Sequence, residues 1–458
     1  MKNPPDGWPR ITPAVFYDDA GAAIDWLASA FGFEVQERIE NEQGQVVHPQ
    51  PPFSRVRSSC RRALMVFTVL LSASGCRTDR SHPPEPVSIV ERDSAGVRII
   101  EFGLNVWESR PTWSVSTDPR IELRGSNRSD VSESDRAAYE FFDVSGLARL
   151  LTGELVVADN GTRELRMFGD DGRYLRTLGS EGEGPGEFTD LAFLDIIRGD
   201  SLATFDGHLH RITVMDPRSG GARLVNSGAR MATHLLKDGG VVWEERGGSF
   251  HHGAWSDSVT VVRTGSDGMT TDSIGVFDGT EFFYTAGTVY VEHRPFGRQF
   301  RTAARDSVLY VATGDQYSIL VFSARGHRTA ILRGLFATRP VAAEEFDDML
   351  SMWISDSRDP RRQTDLEKLR GTKPYPDMVP PHGELMLAAT GELFVQDFTW
   401  RPDEGQVWRV FDPSHRPRAT LKTPPGFRVL YVDELLVGGV GMDEYGVERV
   451  MFYEIIRD

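Results

Sequence analysis

Cysteine is almost absent from this chain of 458 residues: Cys60 and Cys76 are the only two. The long part after Cys76 therefore has no disulfide, no zinc–thiolate centre and no cysteine nucleophile. A region of that size can rest on an apolar core without crosslinks. Long hydrophobic runs are missing too. The strongest, Ala63–Gly75, falls short of the roughly 20 residues that a spanning helix needs. Positive charge is in deficit, 51 Lys and Arg against 67 Asp and Glu, for a net charge of -16. Such a surface repels phosphate backbones, so nucleic acid is not an expected partner. The chain also lacks a GxSxG elbow, an HExxH pair, a CxxC pair and an EF-hand loop. Those absences weigh against an enzyme without excluding one, because scattered loop residues can assemble a site.

What is present begins with Arg61–Cys76, RRALMVFTVLLSASGC. Two arginines lead a short apolar run, and small residues then deliver a cysteine. This is the order of a bacterial lipoprotein signal, with Cys76 as the lipidated residue. A polar, proline-bearing tether, Arg77–Pro86, follows it and suits a flexible spacer. The expected location is the cell envelope, lipid-anchored, if the signal is used, and the cytoplasm if everything upstream is translated with it. A signal belongs at an N-terminus, so the order of parts reads as two unrelated pieces joined, with Val56 as an alternative start.

Upstream, Ile11–Tyr17 reads as a strand, and Ile24, Leu27 and Phe31 share one helical face ended by Gly32. Phe33–Ile39 and Gln45–His48 read as two further strands. This head, residues 1–52, resembles the opening of a glyoxalase/bleomycin-resistance (vicinal oxygen chelate, PhnB-like) domain. The resemblance covers about one βαββ fragment and stops at Pro49-Gln50-Pro51-Pro52. It implies a metalloprotein module, incomplete here because His48 alone cannot hold a catalytic ion.

From about Val87 the chain turns into short strands separated by Gly, Asp and Pro turns, the pattern of an all-β protein. Residues 146–178 hold the clearest unit: GLARLLTGELVVAD, then ELRMF, a turn at Asp170-Asp171-Gly172, then YLRTL. Four strands in roughly 35–45 residues is the size of a propeller blade. Its central pair recurs at Leu202–Asp206 with Arg211–Met215, Leu309–Asp315 with Ser318–Phe322, and Leu393–Asp397 with Val407–Phe411. Weaker copies stand at Val241–Glu245 and Arg449–Tyr453. The pattern predicts about six blades over 87–458, each burying its faces on its neighbours. Val97–Glu101 is left over, and is expected to complete the last blade and close the ring.

The stretch Glu154–Phe188, ending GEGPGEF, resembles the six-bladed β-propeller lipoproteins related to NHL-repeat proteins, as do Val90–Ile99 and Tyr445–Ile455. The resemblance implies an architecture and no particular activity. GEGPGEF itself reads as a blade-to-blade turn, since Glu181, Glu183 and Glu187 would repel phosphate and no Lys-Ser/Thr follows.

Candidate site residues fall in three groups. An acidic residue ends the second strand of most copies, Asp159, Asp206, Asp315 and Asp397; these either cap the next turn or ring one face and bind a cation. Asp206, His208 and His210 alternate at strand spacing and, with His251 and His252, form a candidate metal site, the alternative being exposed loop histidines. Ala342–Ile354 is strongly helical, with Phe346, Met349, Leu350 and Trp353 as its apolar stripe. This insertion, about 341–370, either covers a central pocket or packs against the rim, and Trp400 beyond it is a candidate pocket aromatic. The expectation is a mainly β chain carrying a non-catalytic, monomeric binding or scaffold propeller for a small ligand or protein. No cofactor is expected, calcium or zinc being the candidates if there is one. A propeller hydrolase or lyase using a divalent metal is the alternative.

Overall fold

The computed structural model describes residues 89–124, 131–226, 231–236, 238–248, 252–265, 271–284, 291–401 and 404–457. The chain divides between Pro83 and Pro84, and every described residue belongs to the second part. The βαββ head, the signal-like segment and the tether, with Cys60 and Cys76, lie outside the described residues.

The repeat is visible in the register of the first blade. Val144–Arg149, Leu155–Asp159, Glu164–Phe168 and Tyr174–Glu181 pair antiparallel in sequence order. Burial follows position. Leu155–Asp159 is buried along its whole length, whereas the outermost strand, Tyr174–Glu181, is mostly open to solvent. The turns that allow this are short; Gly172 sits at φ 78°, a conformation that glycine adopts without steric cost.

Six strands begin a blade in this way: Val144–Arg149, Leu191–Ile197, Met231–Leu235, Arg301–Arg305, Leu385–Leu387 and Arg428–Val432. Each lies against the next and the sixth against the first, so they form a closed inner ring. The approach is close: a side chain at Gly146 of the first would meet the Cβ of Leu194 in the second at 2.7 Å. Between each pair of consecutive blades lies one apolar core, six in all. The core between blades 1 and 2, for instance, joins Val156, Leu165 and Phe188 to Leu191 and Leu202. The fold is a six-bladed β-propeller.

The expected repeats hold, with two differences. Blade 3 is built from unusually long strands, Gly253–Thr264 and Thr271–Tyr284. The strand that completes the last blade is Ile121–Leu123, paired with Phe452, Met451 and Val450, and not Val97–Glu101. That earlier strand, Val97–Phe102, instead runs parallel to Arg328–Gly334 on the outer edge of blade 4. Its place is set by Phe102, which packs against Trp107, Tyr317 and Phe411 at 5.9, 5.7 and 5.5 Å and fills the seam between blades 4 and 5. Thr112–Val115 then bridges the outer strand of blade 5 to the end of blade 6. The segment from Ile89 to Leu123 is thus a strap over three consecutive blades.

Two helices, α1 (Ala343–Asp356) and α2 (Pro360–Glu367), form the insertion between blades 4 and 5. Phe346, Met349 and Leu350 of α1 meet Phe296, Phe398 and Trp400 in a separate apolar cluster. Arg362 holds Glu292 through two bonds of 2.9 Å, and Arg401 reaches Asp348 at 2.9 Å. The insertion packs against the rim.

Ring closure through Ile121–Leu123 gives a direct test. Leu123 is buried (1% exposed) and Leu175, on an outer strand, is 48% exposed. Leu123→Ala is expected to lower the unfolding free energy by about 2–4 kcal/mol, read by guanidinium denaturation. A loss no larger than that of Leu175→Ala would contradict the closing role.

Candidate functional site

The inner ring has two ends. Register puts the second-to-third-strand turns at the end where inner strands begin: Asp159 pairs with Val144, and Asp206 with Leu191. The insertion also enters there, since it leads into the inner strand of blade 5. The acidic residues that end the second strands share this face, as their repeat positions imply, but each is consumed locally. Asp159 accepts the N–H groups of Phe142 (3.3 Å) and Gly161 (3.1 Å) and sits 3.4 Å from Arg166. Burial raises its pKa against the pull of Arg166. Asp206 accepts the N–H groups of Thr189 (2.7 Å), His208 (3.1 Å) and Leu209 (2.8 Å) and the Thr189 hydroxyl (2.9 Å). Burial pushes its pKa up, and these bonds outweigh it and hold the carboxylate below its usual range. Asp315 is exposed and takes the Thr313 hydroxyl, and Asp397 is held by Arg409 at 2.7–3.1 Å. The four carboxylates do not converge on a shared cation.

The histidine group is likewise taken apart. Asp206 ends its strand, and residues 207–210 form the turn, so Asp206, His208 and His210 do not alternate along one strand face. The turn bends where Asp206 collects its backbone donors, and His210 adopts φ 48°. His252 stacks on Tyr284 at 5.1 Å, and His251 lies outside the described residues. Among the described residues no group of three His, Cys, Asp or Glu side chains is placed to hold a metal ion. Trp400 belongs to the insertion cluster, donating to Glu345 at 3.3 Å and lying under Arg401 at 4.6 Å, and not to the channel. The GEGPGEF turn is pinned by Arg211, which donates to the carbonyls of Glu183, Gly184 and Glu187 at 2.5, 2.9 and 2.8 Å.

The candidate site is a cavity of about 180 Å³ inside the ring, lined by inner strands of all six blades. Its lining lies toward the C-terminal ends of those strands, away from the insertion: Leu147, Asp195, His234, Arg305, Leu387 and Tyr431 each come from a different blade. Leu194, Met386 and Leu430 also line it, and polar and apolar groups share its open surface about equally. His234 Nε2 lies 3.1 Å from Thr302 Oγ1, whose hydrogen goes to Glu244 at 2.8 Å. The threonine hydrogen being so used, Nε2 carries the histidine's hydrogen and donates it. Burial drives the His234 pKa down to about 4, so the ring is neutral at physiological pH. Asp433 accepts from Tyr431 Oη (2.9 Å), from Arg149 (3.1 Å) and from the N–H groups of Leu435 and Leu436 (2.7 Å each). Among the described residues Asp195 accepts only the N–H of Ile196, at 2.8 Å. Burial pushes its pKa up to about 6, with the Arg305 charge opposing.

None of these cavity residues stands out in the sequence, because the innermost strands carry the least regular text, as in RTAAR and MATHL. A usable signal was a polar residue near the end of the first strand in four of the six repeats: Asp195, His234, Arg305 and Tyr431.

Residues 142–214, the first blade and most of the second, match a family model described as a 6-bladed beta-propeller. Among solved structures, the chain is similar to a Bacteroides fragilis protein described as exported, at 13% identity, 79% of this chain, 99% of that one and a TM-score of 0.40. It is also similar to a gluconolactonase from Xanthomonas campestris (12% identity, 74% and 99% covered, TM-score 0.38). A third likeness is to a Bacteroides vulgatus protein of another uncharacterised-domain family (9% identity, 75% and 99% covered, TM-score 0.44). No curated protein matches this chain.

Two channel groups tie stability to pH in opposite senses. Asp195 is protonated more readily in the folded chain, so its stabilising contribution is complete below the ordinary value of 3.8 and lost as pH rises through about 6. His234 resists protonation when folded, so its contribution is complete above 6.5 and lost as pH falls through about 4. Urea denaturation across this range is expected to show Asp195→Asn more stable than the parent at neutral pH but not in acid. His234→Gln should lose less stability than the parent between pH 6.5 and 4. Parallel pH profiles for parent and variants would contradict both assignments.

Proposed function

We infer that the chain is a binding protein of the bacterial cell envelope whose propeller receives a small ligand in its central channel. The observation that carries this reading is the cavity itself: all six blades contribute to it, and polar and apolar side chains share its surface. A closed ring of packed sheets keeps such a site formed in advance of binding, which reduces the ordering cost of association. The envelope location rests on Arg61–Cys76, whose order of charge, apolar run, small residues and cysteine suits lipidation, and on the polar tether after it.

A thermal-shift screen of small molecules against the purified propeller tests the binding role. Ligands that raise the melting temperature are expected to lose their effect in Leu387→Trp, which fills the cavity, provided the variant still melts cooperatively. Hits unaffected by that substitution, or none from a broad panel, would contradict it. Metabolic labelling with radioactive palmitate tests the anchor: the parent should be labelled and Cys76→Ser not, and an unlabelled parent would remove that claim.

A further inference from the structure

We propose that the channel ligand is a small organic monocarboxylate, bound through its carboxylate to the guanidinium of Arg305 and through a short apolar tail to the leucine wall. This rests on the reading of the channel as the ligand site and names the chemistry of that ligand.

Most charges in and behind the cavity wall are already satisfied. Arg149 is neutralised by Asp433, and both oxygens of Asp433 are occupied, one by Arg149 and Tyr431 and the other by two backbone N–H groups. His234 is spent on the Thr302–Glu244 chain. Arg305 differs. Arg305 lines the cavity, its guanidinium makes no hydrogen bond or close ion pair with any described residue, and it acts on Asp195 and Tyr431 through its charge. A guanidinium keeps its charge at any pH the protein meets and presents donors in a planar fork that fits a carboxylate.

The opposite charge in the cavity does not fill that role. Asp195 is on blade 2 and Arg305 on blade 4, with blade 3 between them, and they form no ion pair. Burial disfavours the charged form of Asp195, whereas nothing comparable removes the charge of Arg305. With its pKa held up to about 6, Asp195 is still mostly charged at neutral pH but answers Arg305 only through its field, so what Arg305 leaves for a ligand is its unused guanidinium donors. The rest of the wall selects against bare inorganic anions. The partly buried Leu194, Leu387 and Leu430, which also pack into the seams between blades, offer nothing to a phosphate or chloride and favour an apolar tail. The size is also limiting: about 180 Å³ suits a carboxylate with a short aliphatic or single-ring tail.

The test uses isothermal titration of the full propeller with hexanoate and benzoate, and with hexylamine, hexanol, phosphate and chloride as contrasts. Hexanoate or benzoate should bind and the amine, alcohol and inorganic anions should not. Arg305→Gln should weaken the carboxylates by about tenfold or more, with Arg305→Lys in between. Asp195→Asn should tighten them, because it removes a like charge from the cavity. A cationic ligand would reverse both signs, with Asp195→Asn losing binding and Arg305→Gln gaining it, and that outcome overturns the proposal. Equal binding of hexanol and hexanoate overturns it as well, and so does equal binding of phosphate. If the carboxylates fail while another ligand is displaced by Leu387→Trp, the carboxylate assignment falls and the channel reading stands. If no ligand responds to Leu387→Trp, both fall. Cooperative melting of each variant separates lost binding from lost folding.

Discussion

A four-stranded sheet with two apolar faces cannot be stable alone, and everything in this protein follows from how those faces are covered. Each blade lays one face on the blade before it and the other on the blade after it, so burial is complete only when the sixth meets the first. Leu155–Asp159 can be buried along its length because apolar cores lie on both sides of it. Closure is made by hydrogen bonds in a shared sheet: Ile121–Leu123 from the start of the described chain pairs with Val450–Phe452 from its end. The two ends of the ring are held by one ladder.

Arginine supplies the secondary constraint. The loops between blades expose carbonyls that no strand satisfies, and buried or half-buried guanidinium groups answer them. Arg211 collects three carbonyls of the GEGPGEF turn, and Arg166, buried beside Asp159, collects those of Ala137, Ala138 and Glu140. At the end of the second strand Asp159 and Asp206 cap turn N–H groups, while Asp315 takes a threonine hydroxyl and Asp397 an arginine. Carboxylates at repeated positions share a face of the ring, yet being on one face does not leave them free.

The channel is where the repeat stops being regular. Asp195, His234, Arg305 and Tyr431 occupy comparable places on four of the six inner strands but differ in charge and in what they bond. Two are committed to neighbours, one is pushed toward its neutral form by burial, and Arg305 has no hydrogen-bond partner among the described residues. A shared scaffold thus presents individual chemistry at one place, and the insertion with Trp400 braces the opposite end of the ring from outside the channel.

Short strands, turn residues and a recurring central pair were legible directly, because period-two burial and Gly or Asp turns are local properties; the six-fold repeat followed from them. The closing strand was not legible. Val97–Phe102 is longer and more apolar than Ile121–Leu123, and only the packing of Phe102 into the seam between blades 4 and 5 assigns it to blade 4. The candidate site was misplaced for a related reason. Asp159, Asp206 and the histidines after it are conspicuous in the text, but whether a carboxylate is spent on its own turn depends on donors brought from other strands. Composition, repeat length and the cysteine-poor body were set by the sequence alone. Which edge closes the ring, and which arginine lacks a hydrogen-bond partner among the described residues inside it, were decided by tertiary structure, because both depend on contacts between residues far apart in the chain.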